Sequence, residues 1–399
     1  MKTSNYLSGN VPENTHLFKA PGRTELAGNH TDHNNGKVLA ASINLEITAA
    51  VQKTDDHIAI FRCKSFPDTK TALTDSSGSY DLEPKHEEAG ATGSLVRGIA
   101  AQFYKRGCKI GGFTANAESA VHPGSGLSSS AAVEVLIGRI FNSLYGNDQC
   151  SDIEIAKIGQ IAENDYFGKP CGLMDQIACA SGGAVAIDFD DPCNPIVKKI
   201  NFNLSAVNYT LCVVNTGGSH ADLTADYASI PAEMKAVAAF FGKSVLRELD
   251  KETLLSSAAC IRKKFGDRHL LRAIHFFDEN ARVEMMTDIL EKLDSAVSDT
   301  EKQNFFIEYL NLVNESGCSS YELLQNIYSQ NSPVNQGIAA ALALTKNFLR
   351  CQKLTGACRV HGGGFAGTIQ AYIPDDAMNA YITRMESVFG KDCVTPLKI

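Results

Sequence analysis

Residues 121–132 (VHPGSGLSSSAA) join a glycine-rich loop to the start of an amphipathic helix. Gly124 and Gly126 have no side chain to keep backbone N–H groups away from an anion, and both can adopt the positive φ angles that let N–H groups converge. Apolar residues then recur at helical spacing over residues 133–144, and Gly146 is a suitable stop. Helix N-termini carry unsatisfied N–H groups and the positive end of the helix dipole. The stretch therefore predicts a phosphate-binding loop, with an ordinary serine-capped helix as the alternative.

The string PGSGLSSSAA resembles the phosphate loop of the GHMP small-molecule kinases, and its three serines are similar to the version found in galactokinases. The chain has no G-x-x-x-x-G-K-[ST] sequence, which is the signature of a different phosphate loop. The resemblance implies that this loop binds ATP. The residues implied are Gly124, Ser125, Gly126, Leu127, Ser128, Ser129 and Ser130.

The length of 399 residues exceeds what one hydrophobic core usually supports, so we expect two domains, residues 1–203 and 204–399. A hydrophobic content of 44% with 21% charged residues is typical of a globular protein. The net charge of -8 gives no reason to expect nucleic acid or a membrane as a partner, and no apolar run is long enough to span a bilayer. The twelve cysteines form no C-x-x-C pair and resemble reduced, buried thiols. We expect a cytoplasmic monomer.

A polar cluster interrupts a predicted β region near the N-terminus. Residues 20–39 read APGRTELAGNHTDHNNGKVL, and apolar residues alternate over 43–51 as in a half-buried strand. So many donors and acceptors in a short span suit a ligand with several hydroxyl groups, because each hydroxyl donates and accepts at once. A solvated turn is the alternative interpretation.

This cluster resembles the galactokinase signature G-R-x-N-L-x-G-E-H-T-D-Y-N-x-G. The resemblance implies that Arg23 lies beside the reacting sugar hydroxyl and the γ-phosphate. It also implies a set of sugar-binding residues, namely Asn29, His30, Thr31 and Asp32. The chain departs from the signature at Glu25, where the family has Asn, and at Asn29, where the family has Glu. His33 stands in place of Tyr.

Two further motifs lie in the middle of the chain. A capping box of Ser151 and Glu154 starts a predicted helix, and Glu163 follows its apolar face. The string PCGLMDQ over residues 170–176 resembles the galactokinase string P-C-G-I-M-D-Q. This resemblance implies that Asp175 is the catalytic base, that Gly172 contacts the sugar, and that Glu163 binds Mg²⁺ together with Ser130. Without the resemblance, Glu163 and Asp175 are ordinary helix carboxylates.

In the C-terminal half, strands are predicted at 184–188, 209–215 and 368–373, and helices from about 232 to 352. Tyr227 aligns by order with a family tyrosine that lines the sugar pocket, and His220 and Asp222 are either pocket or surface-loop residues. The glycine cluster at 362–364 resembles the third GHMP motif, although a tight turn is the simpler interpretation. Residues 68–93, rich in Thr, Ser, Asp and Glu, predict a surface excursion.

Together, the motifs imply an α/β (α+β) fold, the two-domain GHMP kinase fold. Its N-terminal domain would be like ribosomal protein S5 and its C-terminal domain ferredoxin-like. The implied activity is transfer of the γ-phosphoryl group of ATP, with Mg²⁺, to the anomeric hydroxyl of galactose. The partners are then ATP and a monosaccharide. One alternative is a kinase for another sugar such as galacturonate, because Asn29 removes a like charge. A second alternative is a non-catalytic sensor that binds galactose and ATP.

Overall fold

The computed structural model describes residues 14–64, 66–122, 124–218 and 223–399. These residues form two compact units that each contain helices and strands. The first unit runs up to Arg23 and continues over Ser42–Gly182, while the second comprises Thr24–Ala41 and Gly183–Ile399. Strands β1 (His16–Ala27) and β2 (Lys37–Thr54) therefore contribute residues to both units. The predicted pocket residues His220 and Asp222 lie outside the described residues.

In the first unit, helices pack beside a sheet that contains the second half of β2. Strand β3 (Ile58–Cys63) pairs with β4 (Phe66–Ala72) and β5 (Gly112–Ser119), and β5 pairs with β2 from Ile47 to Thr54. Alternate residues of β2, such as Ile47, Ala49 and Val51, are buried, which confirms the predicted half-buried strand. The helices are α1 (Thr92–Lys105), α2 (Ser129–Tyr145), α3 (Asp152–Ile161) and α4 (Met174–Ser181).

Helix α2 follows the predicted phosphate loop and is the central helix of this unit. It contacts α1, α3 and α4, and its predicted apolar face is buried at Val133, Leu136, Ile137, Ile140 and Phe141. The helix ends before Gly146, as predicted. Helix α3 begins with the predicted capping box of Ser151 and Glu154. Burial of α2 on several sides holds the loop at its N-terminus in a defined position.

The predicted surface excursion at 68–93 is wrong at both ends. Residues up to Ala72 belong to β4, because the alternating threonines Thr69 and Thr71 pair with β3, and α1 already begins at Thr92. Arg97 of α1 binds the segment between β4 and α1, because its Nε and Nη2 donate to Glu88.

The second unit contains β6 (Ala184–Asp188) and β7 (Ile196–Ile200), which pair with each other. Strand β6 also pairs with Lys37–Ala41 of β2. Because these hydrogen bonds join residues 184–200 to the start of β2, the compact units divide after Gly182 and not near residue 203. The assignment of 1–203 and 204–399 to two family domains stays a prediction.

A second sheet in this unit is antiparallel, with the strand order β11-β8-β10-β9. Its strands are β8 (Tyr209–Asn215), β9 (Ala357–His361), β10 (Thr368–Pro374) and β11 (Val394–Leu397). Helices lie between β8 and β9, and one helix lies between β10 and β11, which gives the β-α-β-β-α-β order of a ferredoxin-like domain.

The region predicted as helical, residues 232–352, is helical over most of its length. The helices of this unit are α5 (Thr224–Phe240), α6 (Lys251–Ser256), α7 (Ala258–Phe265), α8 (Asp267–Ser295), α9 (Asp299–Ser319), α10 (Gly337–Cys351) and α11 (Met378–Phe389). Among the described residues, no helix has both the length and the apolar character needed to cross a membrane.

Gly362 and Gly364 of the glycine cluster differ in the space around them. Alanine substitutions at these two positions therefore test the turn. Both glycines have positive φ, but a Cβ on Gly364 would clash with the carbonyl oxygen of Asn326, whereas a Cβ on Gly362 meets nothing within 4 Å. Alanine at 362 adds only the backbone cost of a left-handed residue, about 1–2 kcal/mol.

We therefore expect Gly364→Ala to lower the thermal unfolding midpoint clearly more than Gly362→Ala, as measured by calorimetry. Equal losses for the two variants would contradict the turn described here.

Candidate active site

Arg23 and Asp175 form a two-point ion pair in the first unit, although they are 152 residues apart in the chain. Nε of Arg23 donates to Oδ1 of Asp175 at 2.6 Å, and Nη2 donates to Oδ2 at 2.7 Å. The Arg23 side chain is 8% exposed and that of Asp175 31% exposed. This bidentate geometry is the strongest form of arginine–carboxylate contact, so each side chain fixes the orientation of the other.

The phosphate loop binds this ion pair directly. The backbone N–H of Arg23 donates to the carbonyl of Leu127 at 3.0 Å, and Nη1 of Arg23 donates to the carbonyl of Gly126 at 2.6 Å. The hydroxyl of Ser128 donates to Oδ2 of Asp175. The structure therefore brings Arg23, Asp175 and the serine-rich loop together, as the motifs predict.

The charge state of Asp175 follows from these contacts. Burial alone raises the pKa of Asp175, but the positive charge of Arg23 and the hydrogen bonds from Arg23 and Ser128 outweigh it, and Lys169 adds a smaller effect in the same direction. The pKa of Asp175 is therefore lowered. The group is ionised at neutral pH, and its carboxylate oxygens are hydrogen-bond acceptors only.

The loop has the backbone form that the glycines predict. Gly124 and Gly126 have φ angles of 74° and 75°, and Ser128 also has a positive φ of 55°. Ser129 and Ser130 lie in the first turn of α2, whose N–H groups have no partners within the helix. Positive φ angles beside a helix N-terminus are the geometry of an anion-binding nest.

Glu163 lies in a single turn of π-helix, Ala162–Phe167, between α3 and α4. Its carboxylate is buried. Oε1 accepts from Nζ of Lys169 at 3.0 Å, and Oε2 accepts from Nε2 of Gln176 at 3.0 Å. The same amide nitrogen donates to Oε2 of Glu134 at 2.9 Å. Gln176 thus connects α4, the π-helical turn and α2, and it directly follows Asp175 in the chain.

The residues near Glu163 suit a divalent cation. Ser130 and Glu134 are one turn apart on the same face of α2, and Glu134 is joined to Glu163 through Gln176. Oε1 of Glu134 is buried and has no hydrogen-bond partner among the described residues. Burial raises the pKa of Glu134, and the nearby Glu163 raises it further. In the described ranges, no group of three or more His, Cys, Asp or Glu is arranged so that it could hold a metal ion by itself. Phosphates and water would therefore have to complete an octahedral shell.

In the second unit, Asn29 is buried and its amide is used within the protein. Nδ2 donates to Oε1 of Glu25 at 3.1 Å and to the carbonyl of Gly362 at 2.7 Å, and Oδ1 accepts from Nδ2 of Asn326 at 2.8 Å. The amide joins the first motif to the third. The predicted contact of Asn29 with substrate stays a prediction.

The two departures from the family signature are neighbours in space. Glu25 and Asn29 exchange the amide and the carboxylate of the signature, and they are hydrogen-bonded to each other. The carboxylate of Glu25 also accepts from Nη2 of Arg359, which is fully buried. Nε and Nη1 of Arg359 have no hydrogen-bond partner within the described part of the chain. One carboxylate and one amide are thus retained, in exchanged positions.

His30 is neutral at physiological pH. Burial is the main cause that lowers the pKa of His30 to about 3, and His33 contributes. Nε2 lies 2.9 Å from the carbonyl of Gly363, so we assign the proton to Nε2 because a carbonyl only accepts. Nδ1 then carries a lone pair that can accept from a ligand hydroxyl.

The other predicted sugar-binding residues, Thr31, Asp32 and Gly172, differ from one another in their surroundings. The hydroxyl of Thr31 is buried against the carbonyls of Gly28 and Lys37, so it supports the turn of the motif. Asp32 is partly buried and its Oδ1 accepts from the backbone N–H of His33 at 3.0 Å. Gly172 lies in the half-buried segment before α4 in the first unit.

Tyr227 packs against the third motif. Its hydroxyl donates to the carbonyl of Gly364 at 3.0 Å, and a Cβ on Gly363 would lie 2.6 Å from its ring. Burial raises the pKa of Tyr227 to about 12, so the hydroxyl is protonated. The second unit therefore brings together His30, Tyr227 and the glycine cluster.

Sequence reasoning missed the contacts of Lys169, Gln176 and Glu134, and the contact of Ser128 with Asp175. One signal was available, because Glu134 is a single carboxylate in the otherwise apolar run of α2, one turn after Ser130. Lys169 and Gln176 have no such signal, since their partners depend on how separate helices pack.

Two protein families match parts of this chain. Residues 94–183 match the family described as GHMP kinases N terminal domain, and residues 7–53 match the galactokinase galactose-binding signature. The chain is 30% identical over 367 residues to the galactokinase of Glaesserella parasuis serovar 5 (strain SH0165), covering 90% of this chain and 86% of that protein. It is 31% identical over 294 residues to the galactokinase of Streptomyces coelicolor (strain ATCC BAA-471 / A3(2) / M145), covering 72% of each.

Solved structures show the same fold. The galactokinase of Lactococcus lactis complexed with galactose superposes with a TM-score of 0.78 at 23% identity, covering 99% of this chain and 95% of that one. The mevalonate kinase of L. major in complex with R-mevalonate gives 0.61 at 12% identity, covering 96% and 95%. These likenesses confirm the predicted GHMP kinase fold.

Loss of the buried Glu25–Arg359 ion pair should lower the free energy of unfolding. Replacing Arg359 by Met removes the guanidinium from a buried carboxylate, and breaking a buried pair in this way typically costs about 3–5 kcal/mol. We expect a loss of that size in the free energy of unfolding, measured with denaturant.

Two further variants control this experiment. Glu25→Gln combined with Arg359→Met removes the remaining charge and should recover part of the loss. The exposed pair of Arg262 and Asp267 is the surface control, and Arg262→Met should change stability little. An Arg359→Met variant as stable as the parent protein would contradict the pairing.

Proposed function

The chain belongs to the galactokinase family, and from this premise we propose that it transfers the γ-phosphoryl group of ATP to the anomeric hydroxyl of galactose. The products would be galactose 1-phosphate and ADP. The observation that carries the proposal is the Arg23–Asp175 ion pair, hydrogen-bonded to the carbonyls of Gly126 and Leu127 and to the hydroxyl of Ser128. A base and a cation bound to a phosphate loop are the components that phosphoryl transfer to an alcohol needs.

Asp175 is proposed as the base. Its ionised carboxylate accepts the proton of the sugar hydroxyl as that oxygen forms a bond to the γ-phosphorus. The bond between the γ-phosphorus and the oxygen that bridges it to the β-phosphate breaks, and ADP leaves with the electron pair. The lowered pKa of Asp175 keeps it available for this step at neutral pH.

Arg23 is proposed to have two roles. It orients Asp175 through the bidentate contact, and its positive charge stabilises the negative charge that the transferring phosphoryl group carries. Such electrostatic stabilisation, together with positioning, supplies most of the catalysis in phosphoryl transfer. Burial of the Arg23 side chain strengthens the effect, because less water screens the charge.

Residues 124–130 are proposed to hold the phosphates of ATP through backbone N–H groups at the start of α2. Ser130 and Glu163 would hold Mg²⁺, which supplies charge neutralisation on the phosphate oxygens when bound. The buried Oε1 of Glu134, which lacks a hydrogen-bond partner among the described residues, supports a cation in this region. Lys169, bound to Glu163, supplies a further positive charge there.

For the sugar, we propose Nδ1 of His30, the carboxylate of Asp32, Gly172 and Tyr227 as contacts. Asn29 and Thr31 are proposed to shape this part of the site, because their side-chain groups bind protein atoms. A monomer and a cytoplasmic location remain proposals. The location is supported by buried thiols such as Cys179 and Cys212, whose pKa is raised by burial.

Substitution of the ion pair tests the mechanism. Asp175→Asn removes the proton acceptor but keeps the shape, and Arg23→Ala removes the charge. We expect each to lower kcat by about 10²–10⁴-fold, the range for loss of a general base or a stabilising charge. Calorimetry checks that each variant is folded, and turnover near that of the parent protein in either would refute the assigned roles.

A panel of free sugars with MgATP tests the substrate. We expect ADP release to be fastest with galactose and much slower with galacturonate and pentoses. Faster turnover of the uronic acid would favour the kinase for another sugar. Binding of galactose and ATP without sugar-dependent ADP release would favour the sensor.

A further inference from the structure

The carboxylate of Asp175 is bound on both oxygens, and one of its hydrogen bonds comes from the phosphate loop. Oδ1 accepts from Nε of Arg23, and Oδ2 accepts from both Nη2 of Arg23 and the hydroxyl of Ser128. Ser128 is also one of the loop residues proposed to bind ATP, and its hydroxyl contacts the proposed base.

The backbone of Ser128 has an unusual conformation beside this contact. Ser128 precedes the first residue of α2, where a serine normally caps the helix by accepting from an N–H of its first turn. It makes no such cap, and its φ of 55° and ψ of 60° lie in the left-handed region that residues other than Gly and Asn rarely adopt. The strained backbone and the unused cap both accompany the hydrogen bond to Asp175.

We infer that Ser128 is a positioning residue for Asp175, and that its hydroxyl couples the shape of the phosphate loop to the orientation and charge of the base. This inference rests on the proposed function. The loop that would hold the nucleotide cannot change its backbone at Ser128 without changing the contacts of Oδ2. Ser128 thus belongs to the loop that would bind the nucleotide and also orients the base.

The neighbours of Asp175 determine the expected pH effect. Arg23 and Lys169 lower the pKa of Asp175, and the negative charge of Asp175 in turn raises the pKa of Glu134 and of Cys179. Ser128 is neutral and acts by donating to the ionised carboxylate, which lowers the pKa of Asp175. Loss of the hydroxyl therefore raises that pKa, and the acid limb of the pH–rate profile moves to higher pH.

The test compares Ser128→Ala with Ser128→Gly and Ser125→Ala. Ser128→Ala removes the hydroxyl and keeps a side chain in the left-handed conformation, whereas Ser128→Gly removes the hydroxyl and relieves the strain. Ser125 belongs to the same loop, but its hydroxyl donates to the carbonyl of His122. It is the matched control for loss of a loop serine.

We expect the acid limb of kcat/KM for galactose to move up by about one pH unit in both Ser128 variants, the size typical of losing a hydrogen bond to a charged group. Ser125→Ala should leave the acid limb in place even if the KM for ATP changes. An unshifted acid limb in Ser128→Ala and Ser128→Gly would overturn the inference, as would the same shift in all three variants.

An activity-independent measurement uses the pH dependence of unfolding. A lowered pKa for Asp175 stabilises the folded state above the unfolded pKa, and this stabilisation is lost as pH falls. In the parent protein, Ser128→Ala should make the free energy of unfolding depend less on pH. In an Asp175→Asn background, Ser128→Ala should leave the pH dependence unchanged. An equal change in both backgrounds would overturn the inference. An inactive parent protein that still shows the coupling would refute the proposed function and leave the positioning role intact.

Discussion

The contact between Arg23, Asp175 and the phosphate loop is the interaction on which the first unit depends. A partly buried ion pair is costly unless its remaining donors and acceptors are satisfied. Here the Gly126 carbonyl accepts from Nη1 of Arg23, and the Ser128 hydroxyl donates to Asp175. The Leu127 carbonyl accepts from the backbone N–H of Arg23. The lack of a side chain at Gly22 is part of this arrangement, since a Cβ there would lie 2.8 Å from the Leu127 carbonyl that binds Arg23.

The second unit organises its polar residues differently, around buried groups that bind protein. The Asn29 amide and the Gly362 carbonyl connect the first and third motifs, while His30 and Tyr227 bind the carbonyls of Gly363 and Gly364. The exchange of carboxylate and amide between positions 25 and 29 keeps both groups in one hydrogen-bonded pair. The side-chain amide of Asn29 therefore holds two segments of this unit together.

The helices and strands that the sequence predicts correctly are those determined by residues close together in the chain. The apolar period of α2, the capping box of Ser151 and Glu154, and the strands at 184–188 and 209–215 follow from residues close in the chain. Convergence of Arg23 and Asp175 could be predicted only from the family resemblance, since no periodicity joins positions 152 residues apart. The Gln176 bridge and the division after Gly182 depend on long-range packing and pairing, which the sequence pattern does not contain.

We propose that Arg23 and Asp175 act as one catalytic unit. A double-mutant cycle on kcat/KM is the decisive measurement, with Arg23→Met, Asp175→Asn and the double variant measured under the same conditions. Residues that act together lose most of the rate on the first substitution, so their effects do not add. We expect the double variant to be little slower than the slower single variant. Losses that multiply across the two sites would contradict it.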